Sequence, residues 1–182
     1  MAADQQPRET NESGGMKYPA QIESRSVWQG DELAARGDWM HQLQVEEVNQ
    51  LTSAGENLAG HPPEHEVDLA IDLKPLADRM QRIQNDLEHG SGATLVRGFP
   101  VESLSTARTG GIFWSLAKQL GVPVSQTASG SRLFDVRDAA FGKEDVRTRG
   151  PNTRKKLSFH TDRCDVIGFL CLQQAKDGGE NH

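Results

Sequence analysis

The clearest hydrophobic pattern in the chain is an apolar stripe within residues 73–90. Its members follow one another at steps of four, three and four residues, a spacing that places them on one side of an α-helix. They are Leu76, Met80, Ile83 and Leu87. Gly90 comes soon after the stripe and is a residue type that commonly ends helices. The pattern therefore predicts an amphipathic helix that packs its apolar side into a core.

Two other stretches are also predicted to be helical. Within residues 30–60, Val45, Val48 and Leu51 lie three residues apart, and a Gly-His-Pro-Pro sequence ends the stretch. Residues 105–120 form the second stretch, which the following glycine and nearby proline would end. We therefore expect helices to dominate the chain up to about residue 120.

Four stretches have the composition or the alternation of β-strands. They are residues 93–100, 131–138, 156–162 and 165–175. The centre of the last stretch is apolar throughout, as in a strand that is covered on both faces. Residues 139–155, between the second and third stretches, are predicted to be a polar loop. This order of helices and strands predicts an α+β fold with a sheet-rich C-terminal part.

The first residues of the chain differ in composition from the rest. Residues 1–21 are rich in Gln, Glu, Asn, Ser and Gly, which predicts a disordered tail. The whole chain has 182 residues, of which 35% are hydrophobic, and its mean hydropathy is -0.63. A chain of this length and composition can form one domain with a core, and we expect it in residues 22–182.

Charge and hydropathy argue against two classes of partner. The net charge of -6 is unlike that of general nucleic-acid binders, which are usually basic. No apolar stretch approaches the roughly 18 residues that a membrane span needs. The N-terminal residues also lack the apolar region of a secretory signal. We therefore expect no nucleic-acid and no membrane partner, and a cytoplasmic location.

His160 and Asp162 are the candidate chemistry, two residues apart and just before the apolar run Val166–Leu172. In an extended segment, residues i and i+2 project from the same face, so the imidazole and the carboxylate would point together. Two histidines and one carboxylate on one face of Fe(II) leave three positions for a cosubstrate and O₂. The pair is therefore a candidate for two of the three protein ligands of an iron site.

Taken alone, the pair is weak evidence. Six histidines in an acid-rich chain produce about one His-x-Asp or His-x-Glu by chance. The simpler explanation of an isolated pair is a histidine at a strand end that hydrogen-bonds to a neighbouring turn. The residues around the pair change this balance.

Those residues resemble the first metal-binding segment of the TauD/TfdA family of Fe(II)/2-oxoglutarate-dependent dioxygenases. In that family a His-x-Asp motif ends a strand, a hydrophobic strand follows, and a Gly-Gly-acidic turn comes next. The corresponding residues here are His160–Asp162, Val166–Leu172 and Gly178–Glu180. Upstream, the sequence GATLVRGFP is similar to an early strand of the family, and the resemblance runs from about residue 39 to residue 181.

The resemblance implies a fold and a set of ligands. The fold would be an incomplete double-stranded β-helix, or jelly roll, with flanking N-terminal helices. His160 and Asp162 would bind Fe(II), and the third ligand of the family is a second histidine far downstream. An arginine that binds 2-oxoglutarate follows that histidine, and neither residue is expected in residues 22–182. Asn181 stands where the family usually has a Thr or Ser that contacts 2-oxoglutarate.

The implied reaction is the oxidation of a small organic molecule by O₂, coupled to decarboxylation of 2-oxoglutarate to succinate. Because the distal ligand is missing, we expect the 182-residue chain alone to bind Fe(II) weakly and to lack activity. We also expect the apolar strand to lack some partners, so that a second polypeptide or self-association would complete the sheet. The alternative is a non-catalytic jelly-roll remnant that acts as a binding or interaction module.

Overall fold

The helices and strands of the structure lie in the N-terminal part of the described chain. A computed structural model describes residues 22–58, 74–140, 152–153, 157–158 and 160–177. In chain order the elements are helix α1 (Gly30–Ala35), strand β1 (Met40–Gln42), helix α2 (Val45–Asn57), helix α3 (Lys74–His89), strand β2 (Leu95–Arg97) and helix α4 (Thr106–Leu120). The helices predicted within 73–90 and 105–120 are confirmed, and so is the strand predicted within 93–100.

Strands β1 and β2 form a two-stranded parallel sheet, with Met40 opposite Leu95. Hydrogen bonds extend the pairing at both ends. The Leu95 N–H donates to the Trp39 carbonyl, and the Leu43 N–H donates to the Arg97 carbonyl, each at 2.9 Å. Parallel strands need a crossover connection, and α2 and α3 lie on it.

The prediction that residues 30–60 are helical is confirmed for α1 and α2 and is wrong at β1, which lies between them. Helix α2 begins after Gln44, whose backbone N–H donates to the Glu47 carboxylate at 2.7 Å and so satisfies a free donor at the helix start. Residues 40–42 pair with β2 instead of continuing a helix. The apolar spacing identified α2 correctly but carried no signal for the strand before it.

The core lies where α2, α3 and α4 pack together. Its central cluster consists of Leu43, Leu51, Leu58, Leu76 and Ile112. Leu51 and Ile112 are 0% exposed. Burying one such side chain contributes about 1.5–3 kcal/mol, so this cluster is the main source of stability among the described residues.

Helix α3 buries the predicted apolar stripe. Leu76, Met80 and Ile83 are buried, and the fourth member of the stripe is half-buried. The Gly90 N–H donates to the Asp86 carbonyl at 3.0 Å and closes the last turn. The spacing of the stripe and the position of its terminal glycine are therefore both confirmed.

Gly55 of α2 allows a close approach to the core. A Cβ atom at this position would lie 2.5 Å from Leu104 Cδ1 and 2.7 Å from Ile112 Cδ1. Both distances are far shorter than a normal carbon–carbon contact. A larger residue would therefore force side chains of the core to move.

Glu47 and Arg79 form a nearly buried ion pair between α2 and α3. The guanidinium donates from Nε and Nη2 to the two carboxylate oxygens at 2.9 and 2.7 Å. The side chains of Glu47 and Arg79 are 10% and 11% exposed. The hydrogen bonds from Arg79 lower the pKa of Glu47, although burial alone would raise it. The pair is therefore ionised at neutral pH and ties the two helices together.

Two further polar contacts hold the N-terminal segment on α3 and its C-terminal turn. His41 Nε2 of β1 lies 2.9 Å from Asp86 Oδ2 of α3. The indole Nε1–H of Trp28 donates to the Ser91 carbonyl at 2.8 Å. These contacts fix the chain before α2 although its first helix, α1, has only six residues.

The C-terminal part of the described chain differs from the predictions. No strand is found in residues 131–138, 157–158 or 160–177. The strands predicted at 131–138 and 165–175 are therefore wrong. The strand predicted at 156–162 is also wrong in the part that the structure describes. A strand needs a neighbour to pair with, and no described residue pairs with these stretches in a ladder. The prediction that the apolar run is covered on both faces is also wrong, because Phe169 is 74% exposed.

The described elements include both helices and strands and are compatible with an incomplete α+β fold. The predicted tail at 1–21 lies outside the described residues. No helix in the described ranges has both the length and the apolarity of a bilayer span.

Candidate metal site

His160 lies on an exposed segment, and one of its ring nitrogens contacts the backbone. Nδ1 lies 2.8 Å from the carbonyl oxygen of Ser158. A carbonyl oxygen can only accept a hydrogen bond, so Nδ1 carries the proton in this contact. In the neutral ring, Nε2 then has the free lone pair and can bind a metal ion. Metal-binding histidines commonly have this arrangement, in which the second nitrogen donates to a carbonyl or a carboxylate.

Asp162 is exposed, and so is Thr161 between it and the histidine. The carboxylate is therefore accessible to an ion from solvent. The described residues 160–162 are not part of a strand. The common direction of the His160 and Asp162 side chains, which depends on the alternation of a strand, stays a prediction.

In the described ranges, no group of three or more His, Cys, Asp or Glu side chains is placed to hold a metal ion. The structure therefore shows no third ligand beside His160 and Asp162 among the described residues. His41 lies in β1, its side chain is 11% exposed, and it contacts Asp86. His89 ends α3 and is exposed. Three other histidines lie outside the described residues: His61, His65 and His182.

Asn181, the candidate contact for 2-oxoglutarate, also lies outside the described residues. The same is true of the Gly-Gly-acidic turn at residues 178–180. The role of Asn181 stays a prediction.

The segment that follows the candidate ligands passes close to helix α4 at Gly168. A Cβ atom at Gly168 would lie 3.4 Å from Cζ of Phe113. Further upstream, the Ala139 N–H donates to the Asn152 carbonyl at 3.1 Å, which joins the two ends of the intervening stretch. Along the chain, the candidate ligands therefore lie between the hydrogen bond at Asn152 and the close approach of Gly168 to Phe113.

Sequence reasoning missed two residues of this region. The Ser158 carbonyl holds the His160 ring, but any residue type offers a carbonyl, so the sequence carries no signal for it. Phe113 of α4 lies beside Gly168, and its only signal in the sequence was the apolar character of a helix that was predicted to pack. Both contacts depend on how the chain folds back on itself.

Comparisons with known proteins agree with the motif. The family model described as "Taurine catabolism dioxygenase TauD, TfdA family" matches residues 48–182, a range that includes both candidate ligands and Asn181. FR-33289 synthase from Streptomyces rubellomurinus is 31% identical over 164 residues, which cover 88% of this chain and 48% of the synthase. The chain thus spans about half the length of that curated relative. These matches confirm the predicted resemblance, and the chain belongs to the TauD/TfdA family.

Proposed function

We propose that the chain provides part of the active site of an Fe(II)/2-oxoglutarate-dependent dioxygenase, with His160 and Asp162 as two ligands of the iron. The observation that carries this proposal is the contact between His160 Nδ1 and the Ser158 carbonyl at 2.8 Å. It orients the ring and leaves Nε2 as the nitrogen that can bind a metal ion. Membership of the TauD/TfdA family supports the proposal.

The donor set suits ferrous iron. An imidazole and a carboxylate are two of the three groups in the 2-His-1-carboxylate arrangement, and both residues are exposed here. We propose that the second histidine comes from a segment of the jelly roll that this chain does not contain. The same segment would supply the arginine for the far carboxylate of 2-oxoglutarate.

The bound iron would supply the coordination of 2-oxoglutarate and O₂ and the oxidation of a small organic substrate. The chain's own residues have simpler tasks. His160 keeps its proton on Nδ1, at the Ser158 carbonyl, so that Nε2 stays available. Asp162 would offset part of the charge of the ion, and the Asn181 amide would donate a hydrogen bond to the cosubstrate.

Metal binding by the purified chain tests this proposal without requiring turnover. Fe(II) affinity is measured without oxygen by competition with a coloured chelator, for the unchanged chain and for His160→Ala and Asp162→Ala. We expect weak binding by the chain and at least about tenfold weaker binding by each variant, because each loses a ligand. The matched control is His89→Ala, which removes an exposed histidine at the end of α3 and should leave the affinity unchanged.

Two results would contradict the proposal or its corollary. Equal Fe(II) affinity in the unchanged chain and both ligand variants would exclude these residues as ligands and favour the non-catalytic remnant. Succinate formation from 2-oxoglutarate by the 182-residue chain alone would show that no further segment is needed.

A further inference from the structure

We propose that Phe113 of α4 is a positioning residue for the segment that carries His160 and Asp162. Its ring lies beside the backbone at Gly168 and sets how far this segment lies from the helical core. The inference rests on the proposed function, because the segment matters to the chemistry only as the carrier of the two iron ligands. Phe113 would act through Gly168 and would not itself bind the ion.

The first observation is the space beside Gly168. A Cβ atom at this position would lie 3.4 Å from Cζ and 3.8 Å from Cε2 of Phe113. Carbon atoms at these distances are in van der Waals contact, so the ring already occupies the space that a larger side chain would need. A positive φ is found at Gly92, Gly98 and Gly130 but not at Gly168. Room for the ring, and not the backbone conformation, is therefore what favours a glycine here.

The second observation is that Phe113 belongs to a firmly packed helix. Its neighbour Ile112 is 0% exposed and is part of the core cluster. Helix α4 packs against both α2 and α3, and Phe113 itself is half-buried. Because close packing leaves such a ring little room to move, the backbone at Gly168 has to adapt to the ring.

The third observation concerns the other attachments of the segment. Among the described residues, no backbone hydrogen bond joins residues 160–177 to another part of the chain. The His160 ring contacts the carbonyl of Ser158, which is only two positions away. The distance between the segment and the helical core therefore depends on packing, and Phe113 is a neighbour that the structure places on the core side.

The close approach is near enough along the chain to affect the ligands. Gly168 follows Asp162 by six positions, and six residues span at most about 20 Å. Cys164 lies between them and is half-buried, so its thiol reports whether this stretch stays covered. We therefore expect loss of the Phe113 ring to loosen the stretch that carries both ligands.

The accessibility of Cys164 tests the inference in the full 182-residue chain. Every variant carries Cys171→Ser, which leaves Cys164 as the one thiol. Its rate of reaction with a chromogenic disulfide is divided by the rate in the same chain unfolded in urea. We expect Phe113→Ala to raise this relative rate at least about threefold, because local opening exposes a half-buried group. Urea unfolding followed by circular dichroism measures the stability of the helical core separately.

A compensating substitution distinguishes positioning from a general loss of stability. Gly168→Leu alone should raise the relative rate, because the leucine needs the space that Phe113 fills. Combined with Phe113→Ala, the same leucine fills the vacated space and should return the rate to within about twofold of the starting value. The matched control is Phe169→Ala, which removes a ring from a 74% exposed position and should change the rate less than about twofold.

Fe(II) affinity of the same variants connects the segment to the iron site. It is measured without oxygen by competition with a coloured chelator. We expect Phe113→Ala to weaken binding at least about twofold, because two loosened ligands lose more conformational freedom when they bind the ion. Gly168→Leu should restore the affinity in the Phe113→Ala chain, as it restores the coverage of Cys164.

The outcomes separate this inference from the proposed function. Rescue of the Cys164 rate by Gly168→Leu supports the positioning role, even where His160→Ala leaves Fe(II) affinity unchanged and so contradicts the iron site. Three results would overturn the positioning role: additive effects of the two substitutions, equal effects of Phe113→Ala and Phe169→Ala, or an Fe(II) affinity that needs His160 but not Phe113. If Phe113→Ala does not fold, Phe113→Leu combined with Gly168→Ala provides the same test with smaller changes in volume.

Discussion

The helical part of the chain and the segment at residues 160–177 differ in how their apolar side chains are covered. In the helical part, Leu51 and Ile112 are completely buried and neighbouring helices share one core. In the C-terminal segment, Phe169 and Leu172 are 74% and 46% exposed. The candidate metal ligands belong to the uncovered segment. Stability and the proposed chemistry therefore depend on different parts of the molecule.

The difference follows from the two types of secondary structure. A helix satisfies its backbone hydrogen bonds within its own turns and needs neighbours only for its apolar side. A strand needs a neighbour for its backbone as well. Helices α2, α3 and α4 find their neighbours among the described residues, whereas the apolar run at 166–172 does not. The comparison can be tested by changing similar residues in the two regions.

The largest effect is expected from a pair of leucine substitutions. Leu51→Ala leaves a cavity in a fully buried site and should lower the free energy of unfolding by about 2–5 kcal/mol. Leu172→Ala removes the same atoms from a half-exposed site and should cost less than about 1 kcal/mol. Urea unfolding followed by circular dichroism measures both. Similar losses in the two variants would show that the C-terminal segment is packed as firmly as the core, and the comparison would then be wrong.

A smaller effect is expected from the ion pair that ties α2 to α3. Glu47→Gln removes the charge that Arg79 faces and should cost about 1–3 kcal/mol at neutral pH. The pKa of Glu47 is lowered in the folded chain from its usual 4.5, so the pair stabilises the fold fully above that value. This contribution is lost as the pH falls through the lowered pKa, because the carboxylate then takes up a proton in the folded state as well.

The pH dependence gives the measurement for this pair. The difference in unfolding free energy between the unchanged chain and Glu47→Gln is determined at steps from about pH 7 to about pH 3. It should be constant in the upper part of this range and should shrink in the lowest part. A difference that is the same at every pH would mean that the charge of Glu47 contributes nothing and that the variant is destabilised by altered packing.

Local patterns in the sequence predicted the helices well. The stripe on α3 and the glycine after it were sufficient, since spacing and end signals are properties of the helix itself. Strand β1 was missed because its three residues are defined by pairing with β2, more than fifty positions away. The strands predicted at 131–138 and 165–175 failed for the related reason that a strand-like composition does not provide a partner.

The sequence proposes the residue types of the candidate site but not its geometry. The spacing of His160 and Asp162, together with the motif around them, indicated an iron site from the sequence. The contact between the His160 ring and the Ser158 carbonyl could not be predicted, since every residue type offers a carbonyl. Whether the two side chains converge depends on an extended conformation that a neighbouring strand would enforce.

The smallest effect is expected at Trp28, near the N-terminal end of the helical part, where one hydrogen bond attaches this side chain to the turn after α3. Its Nε1–H donates to the Ser91 carbonyl, whereas Nε1 of the half-buried Trp39 has no partner among the described residues. Trp28→Phe and Trp39→Phe remove the same atoms, but only the first removes a hydrogen bond. Trp28→Phe should therefore cost about 1 kcal/mol more of unfolding free energy than Trp39→Phe, measured by urea unfolding. An equal cost would mean that the segment before α1 is not attached to the helical core in solution. The part of the chain that packs with the core would then begin at α1 rather than at Trp28.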